Sequence, residues 1–370
     1  MSGPSPIRVA VVGLGWAGRS IWLPRLRSHP AFDVVAAVEP EAAARAAATR
    51  GEPRLTVLAE IDDLDPAEVD LAVVAVPNHL HSALASRLLA KSIPVFLEKP
   101  VCLSSAEADQ LAAAERDGGA VLLAGSAARY RADVRALQAI AGSLGRLRHV
   151  DVGWVRARGV PDAGGWFTRR RFAGGGALVD LGWHLLDTVV PLIGPVGFTQ
   201  VVGTVSADFV NRGEARAVWR AGDAPDVLGA GDVEDTARGF LIAENGISVA
   251  LRASWASHEE YDVTLIKLEG SHGTATLRCT FGFSPNRPGD SVLTLTRDGA
   301  TEPIEVPDEP IGTEYLRQLD ELPALLADPA GRGKAIGEAG RTINVIERLY
   351  RSARLPDAAE QPVPVGQARP

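Results

Sequence analysis

Ile7-Arg8-Val9-Ala10-Val11-Val12-Gly13-Leu14-Gly15-Trp16-Ala17-Gly18 decides the fold of this 370-residue chain. The Val- and Ile-rich run at its start reads as a strand buried on both faces, as the strands of a parallel sheet are. It passes directly into G-x-G-x-x-G and then into a helical stretch over roughly 17–29. Each glycine has a physical task in a dinucleotide site. Gly13 makes the tight turn, Gly15 lets the backbone approach a pyrophosphate, and Gly18 allows close helix–strand packing. The helix start adds free N–H groups and the positive end of the helix dipole, both of which favour phosphate. Trp16 and Ala17 share this loop and join the candidate cofactor contacts.

The motif alone is a weak signal, and its setting strengthens it. Val34–Val38, Leu71–Val76, Pro94–Leu97 and Val121–Leu123 are further short apolar runs, separated by helical stretches near 41–49, 79–91 and 104–117. Strand–helix alternation of this kind predicts a Rossmann-type doubly wound α/β domain over residues 1–125. Beyond it the pattern changes. A helix near 132–142 leads into an alternating strand at 146–158, and a helix follows from about 177 to 193. The stretch 196–300 is mostly β, with hairpin signals at Glu244-Asn245-Gly246 and Gly270-Ser271-His272-Gly273. Two helices, near 313–327 and 335–353, close the chain. Residues 126–355 are therefore expected to form an α+β domain on a large, mainly antiparallel open sheet, with 356–370 as a flexible tail.

Composition narrows the function. Lys+Arg is 38 and Asp+Glu is 46, a net charge of −8, which argues against nucleic-acid binding. Two cysteines, Cys102 and Cys279, exclude a disulfide framework and a Cys-rich zinc site. No run approaches 18 apolar residues and the first residues lack a signal-peptide pattern, so no membrane association and a cytoplasmic location are expected. Only four of the 38 basic residues are lysines. A lysine at a chemically loaded position is therefore conspicuous.

Lys99 is that lysine. Glu98-Lys99-Pro100 follows an apolar run at the carboxyl edge of the expected sheet, where open α/β folds bind their ligands. An ammonium there can hold a substrate hydroxyl and lower its pKa. Pro77-Asn78-His79-Leu80-His81 lies at the same edge, with Pro77, Asn78 and His81 as further cofactor candidates. Glu39, 21 residues after Gly18, ends the second strand. An acid there accepts hydrogen bonds from ribose hydroxyls and repels a 2′-phosphate, which favours NAD over NADP, although Arg19 and Arg45 can serve a phosphate.

The second constellation is Gly174-Gly175-Gly176-Ala177-Leu178-Val179-Asp180-Leu181-Gly182-Trp183-His184-Leu185-Leu186-Asp187. Asp180, His184 and Asp187 are spaced i, i+4 and i+7, which predicts one shared helix face. Histidine is a general base near neutral pH, and a carboxylate one turn away can orient it. No further His/Asp cluster points to a metal.

Taken in order, the glycine loop, Glu98-Lys99-Pro100 and the 174–187 segment resemble the glucose–fructose oxidoreductase / inositol dehydrogenase / rhizopine-catabolism (Gfo/Idh/MocA) family of NAD(P)-dependent oxidoreductases. Val233-Glu234-Asp235-Thr236 and Glu269-Gly270-Ser271-His272-Gly273-Thr274 are similar to that family's second domain. The resemblance implies hydride transfer between nicotinamide and a secondary alcohol or ketone of a sugar, sugar derivative or cyclitol. His184 would take the hydroxyl proton, Lys99 would hydrogen-bond the reacting oxygen, and Asp180 would contact substrate or orient His184. Glycosidic cleavage through transient oxidation and a non-catalytic sugar sensor are the alternatives on the same fold. The catalytic residues a sensor typically loses are present.

Arg129, Tyr130, Arg156, Trp166, Arg169 and Asp187 are the candidate substrate contacts. Arg156 and Arg158 alternate along the expected strand, so they share a face. With Arg169-Arg170-Arg171 they hint at a charged substrate. An open antiparallel sheet leaves one face to be covered, which predicts a homodimer or homotetramer.

Overall fold

The computed structural model describes residues 5–51, 55–161, 165–217 and 231–353. The expected tail at 356–370 lies outside them. The first sheet is parallel and holds β1 (Ile7–Val12), β2 (Phe32–Val38), β3 (Thr56–Leu58), β4 (Leu71–Val74), β5 (Val95–Leu97) and β6 (Leu122–Ala124). Their spatial order is β3-β2-β1-β4-β5-β6, the doubly wound arrangement. β1, β4 and β5 are almost wholly buried, as strands covered by helices on both faces must be. Only β3 is absent from the sequence reading, because its Thr56–Leu58 stretch, exposed or half-buried, makes no buried apolar run. The order reverses between β1 and β4, and there the carboxyl ends open a crevice.

The connecting helices are α1 (Leu23–Ser28), α2 (Ala42–Gly51), α3 (His81–Ala90) and α4 (Ser105–Gly118). α4 shows how locally its start is specified. Ser104 Oγ accepts from Glu107 N at 3.1 Å, while Glu107 Oε2 accepts from Leu103 N at 2.7 Å. α1 is shorter than the sequence implies because Ala17–Trp22 form a wide π-type turn ahead of it.

α5 (Ala132–Ala141) leads to the second sheet, made of β7 (Leu147–Val155), β8 (Phe198–Ser206), β9 (Thr236–Ala243), β10 (Ser248–Ser254), β11 (Val263–Gly270), β12 (Thr274–Cys279), β13 (Val292–Arg297) and β14 (Ala300–Ile304). It runs β14-β13-β12-β11-β7-β10-β9-β8 and is antiparallel except where β10 meets β7. β7 alternates as predicted: Val150, Val152 and Trp154 point into the core. Both predicted hairpins are present, the first with Gly246 at φ +83°.

Helices α6 (Arg170–Ala173) and α7 (Trp183–Ile193) lie between β7 and β8. The helical run Arg170–Ile193 is apolar enough by composition to cross a membrane, but 78% of its apolar window is buried, so it is a core helix. At the end of the chain, α8 (Thr313–Ala327) returns to the first sheet, where Leu319 and Leu322 join the cluster around Trp22. α9 (Lys334–Ala353) packs on α4, α7 and β8. The last two helices thus tie the two sheets together.

Candidate active site

A cleft of about 1090 Å³ starts at the glycine loop and ends at the second sheet. Gly13, Gly15, Trp16, Ala17, Glu39, Pro77, Asn78, His81, Glu98 and Lys99 all line it, and so do Trp154, Arg156, Trp166, Asp180 and His184. Gly13 has φ +92°, a conformation that a residue with a Cβ adopts only under strain. Space around Gly15 is open, whereas a Cβ on Gly18 would overlap the Gly13 carbonyl. Gly18 is therefore needed for packing and Gly15 for access, and this cradle fits a dinucleotide pyrophosphate. Trp16, 39% exposed, meets Phe283 of the second sheet's loops edge-on at 5.5 Å, so the loop touches both halves of the cleft.

Glu39 is fixed at the loop. Its Oε2 accepts from Leu14 N at 2.9 Å and its Oε1 from Glu41 N at 3.0 Å. Arg45 turns to the Glu39 and Pro40 carbonyls, at 2.9 and 2.7 Å. Asn78 donates to Ala173 O at 2.9 Å, linking β4's exit to the loop before α7. His81 is buried at the cleft wall, with both ring nitrogens turned to backbone carbonyls. Its Nδ1 lies 2.7 Å from Pro100 O and its Nε2 lies 2.9 Å from Val76 O. Two carbonyls favour the charged ring and burial opposes it. Burial dominates and pushes the pKa down to about 4, so the neutral ring donates to one carbonyl only.

Lys99 leaves β5 just before a cis peptide to Pro100. Its own N–H donates to Glu98 Oε2 at 2.9 Å, and Trp22 Nε1 donates to Glu98 Oε1 at 2.7 Å. Burial pushes the Glu98 carboxyl up, against the pull of Lys99. The Lys99 ammonium then reaches across the cleft to Asp180 Oδ1 at 2.6 Å, with side chains 17% and 12% exposed. Asp180 Oδ2 accepts from Trp255 Nε1 at 2.9 Å. His184 lies one turn further on, its ring 5.7 Å from Trp154, over which Arg156 stacks at 4.6 Å. Burial pushes His184 down to about 3, helped by Lys99 and Arg156 and opposed by Asp180. The ring is neutral at physiological pH.

The three glycines before this helix have a steric reason. A Cβ on Gly175 would overlap the Tyr350 hydroxyl of α9, and one on Gly176 the Glu234 carbonyl. Glu234 is buried, and its Oε1 accepts from Gly176 N and Leu178 N at 3.0 Å and from Tyr350 Oη at 2.7 Å. Its carboxylate thus serves the free N–H groups at the helix start. Burial pushes its pKa up.

Four candidate substrate contacts lie elsewhere. Arg129 binds Asp187 Oδ1 at 2.6 Å and Glu338 at 2.5 Å, and with Tyr130 they line a separate cavity of about 550 Å³ under α8 and α9. Asp187 leaves the face of Asp180 and His184 for a physical reason. Leu178–Gly182 form a wide π-type turn, which breaks the 3.6-residue period on which the i, i+4, i+7 reading depends. Arg169 is outside the cleft lining, and its backbone N–H donates to Trp166 O at 3.1 Å. β7 ends at Val155, so Arg156 and Arg158 do not share a strand face; Arg156 enters the cleft and Arg158 faces solvent. Trp22, Trp255 and Tyr350 carry no motif of their own that marks them for the site, whereas Glu234 lies in the Val233–Thr236 segment. Among the described residues no group of three or more His, Cys, Asp or Glu side chains gathers around a metal-sized site.

Residues 7–126 match an oxidoreductase family with an NAD-binding Rossmann fold, and residues 134–276 match the GFO/IDH/MocA C-terminal domain. The chain belongs to this family of NAD(P)-dependent oxidoreductases, whose relatives include sugar dehydrogenases and reductases. It is 60% identical to a protein of Amycolatopsis mediterranei named as a UDP-kanosamine synthase oxidoreductase subunit, over 94% of this chain and 96% of that one. The D-glucoside 3-dehydrogenase of Escherichia coli is 24% identical over 94% and 96%. The aldose–aldose oxidoreductase of Caulobacter crescentus has the same fold, with TM-score 0.73, 22% identity and coverage of 95% and 98%.

Proposed function

We propose that this protein oxidises a secondary alcohol of a nucleoside-diphosphate hexose with NAD, making a keto sugar that a partner enzyme aminates. The carrying observation is the Lys99–Asp180 pair at 2.6 Å with His184 one turn away, in a cleft that begins at the glycine loop. The cofactor, when bound, accepts the hydride from carbon. The residues of the chain manage the oxygen and its proton. The Lys99 ammonium donates to the reacting oxygen and stabilises the negative charge that builds as the O–H bond breaks. Neutral His184 accepts that proton. Burial, Lys99 and Arg156 lower its affinity for that proton, and Asp180 raises it. Asp180 holds Lys99 in place. The alcohol loses one hydride and one proton, and ketone, reduced cofactor and a proton result.

Three features support the finer reading. Glu39 places a fixed negative charge at the end of β2, which favours NAD over NADP. The cleft exceeds the usual 300–1,000 Å³ or so of a single ligand pocket, leaving room for a second ligand beyond the cofactor. Its far wall carries Arg156 for a diphosphate and Trp154, Trp166 and Phe167 for a ring. The 60%-identical relative is named for the synthesis of an amino sugar, and it is named as a subunit. A ketone is what amination of a sugar carbon consumes. The exposed face of the second sheet, with Val202, Phe240, Leu265 and Val292, suits self-association.

The test is NADH formation with UDP-glucose, glucose and myo-inositol as separate substrates. UDP-glucose is expected to have the higher kcat/KM by about tenfold or more. Equal or better turnover of free inositol would overturn the nucleotide-sugar reading.

A further inference from the structure

We propose that Trp255 is a positioning residue of the reaction, acting through Asp180 on Lys99; the inference rests on the roles of Lys99 and Asp180 given above. Trp255 follows β10, an interior strand held by β7 on one side and β9 on the other. The residue is fully buried and its backbone N–H donates to Asp235 O at 2.8 Å, so its ring has little freedom. Indole Nε1–H is a donor only and does not titrate. At 2.9 Å it fixes Asp180 Oδ2, which leaves Oδ1 turned to the Lys99 ammonium at 2.6 Å.

The arrangement joins three separate parts of the chain on one carboxylate: the loop after β5, the wide turn before α7 and the end of β10. Without the indole donor, Oδ2 loses the hydrogen bond that sets its direction, and Oδ1 is held less firmly toward the ammonium. The carboxylate also becomes more basic, because a hydrogen bond to the charged form is lost. A more basic, mobile Asp180 holds the ammonium closer and presents it to the reacting oxygen less often. His184, one turn on, is a titratable group that feels the charge of this carboxylate.

The experiment is a double-mutant cycle on kcat with Trp255→Phe and Asp180→Asn. Phenylalanine keeps most of the ring and removes the N–H. Trp255→Phe is expected to lower kcat by about 10- to 100-fold, with NAD affinity unchanged and the acid limb of the pH–rate profile moved upward. In the Asp180→Asn background the same change is expected to have almost no further effect, because its target is gone. Multiplicative effects, or an unmoved acid limb, would overturn the proposal. A full-activity Asp180→Asn enzyme would instead sink the assignment of the site. If Trp255→Phe does not fold, the indole N–H resonance of the native enzyme decides the matter. It must shift with the same apparent pKa as the acid limb of kcat, and a resonance that stays constant there rejects the proposal.

Discussion

At the scale of single residues, the proposed chemistry concentrates on Lys99, a scarce residue type at the ligand edge of the sheet. Lys99→Met is expected to lower kcat by about 10²- to 10⁴-fold while leaving NAD affinity intact, since no glycine-loop contact is touched. Equilibrium binding of NADH by fluorescence, beside steady-state kinetics, separates the two effects. The same substitution removes the ammonium that pairs with the Asp180 carboxylate, and breaking a largely buried ion pair from one side lowers stability by roughly 3 kcal/mol, read from urea melts. For the cofactor, Glu39→Ser removes the charge that a 2′-phosphate would meet. The NADH/NADPH ratio of kcat/KM should fall by about tenfold or more, and an unchanged ratio would mean that Glu39 does not set the preference. Glu39, Lys99, Asp180 and His184 were all legible as residues. What each touches was not: Asp180 was a candidate to orient His184, and it binds Lys99 and Trp255.

At the scale of elements, both helices at the cleft open the same way. Ala17–Trp22 and Leu178–Gly182 are wide π-type turns that precede α1 and α7, each following a glycine-rich approach. Such turns re-aim side chains and recur at functional sites. The second one places Asp180 and His184 in the cleft and releases Asp187 to Arg129. Glu234 and Tyr350 hold its start, and Gly175 and Gly176 admit them. Gly176→Ala must displace the Glu234 backbone, which costs about 3 kcal/mol. Thermal melting should show a lowered Tm, and it should show less for Gly15→Ala, whose Cβ would enter open space. The helix, its glycines and its histidine were visible in the sequence. The π-type turn was not, because a single extra residue in one turn leaves the hydrophobic pattern almost unchanged.

At the scale of the whole molecule, the buried histidines make stability depend on pH. His184 falls to about 3 and His81 to about 4, from an unfolded value near 6.5. Between those values the unfolded chain binds protons that the folded chain refuses, so their contribution to stability falls as pH falls below about 6.5. The buried carboxyls Glu98, Asp187 and Glu234 are raised and act in the opposite sense. The histidine contribution is therefore read as a difference. Relative to His184→Gln, the native protein should lose up to about 1.4 kcal/mol per pH unit as pH drops from 6.5 toward 4. A difference that does not change with pH would contradict the neutral, buried ring. The exposed sheet face is testable in the same preparations. Sedimentation should show a dimer or tetramer, and Phe240→Asp should shift it toward monomer, since a charge at an apolar interface loses its hydration.

The sequence by itself determined the doubly wound domain, the position of the dinucleotide loop and the residue types proposed to carry the chemistry. These follow from local rules: strand and helix periods, glycine sterics and the edge at which parallel strands end. Tertiary structure alone decided which candidates meet. Arg129, Tyr130 and Asp187 form their own buried cluster, while Trp255, 75 residues beyond Asp180, becomes its donor. Contacts of that separation are fixed by how β10, α7 and the loop after β5 pack together, and no local pattern in the chain encodes that packing.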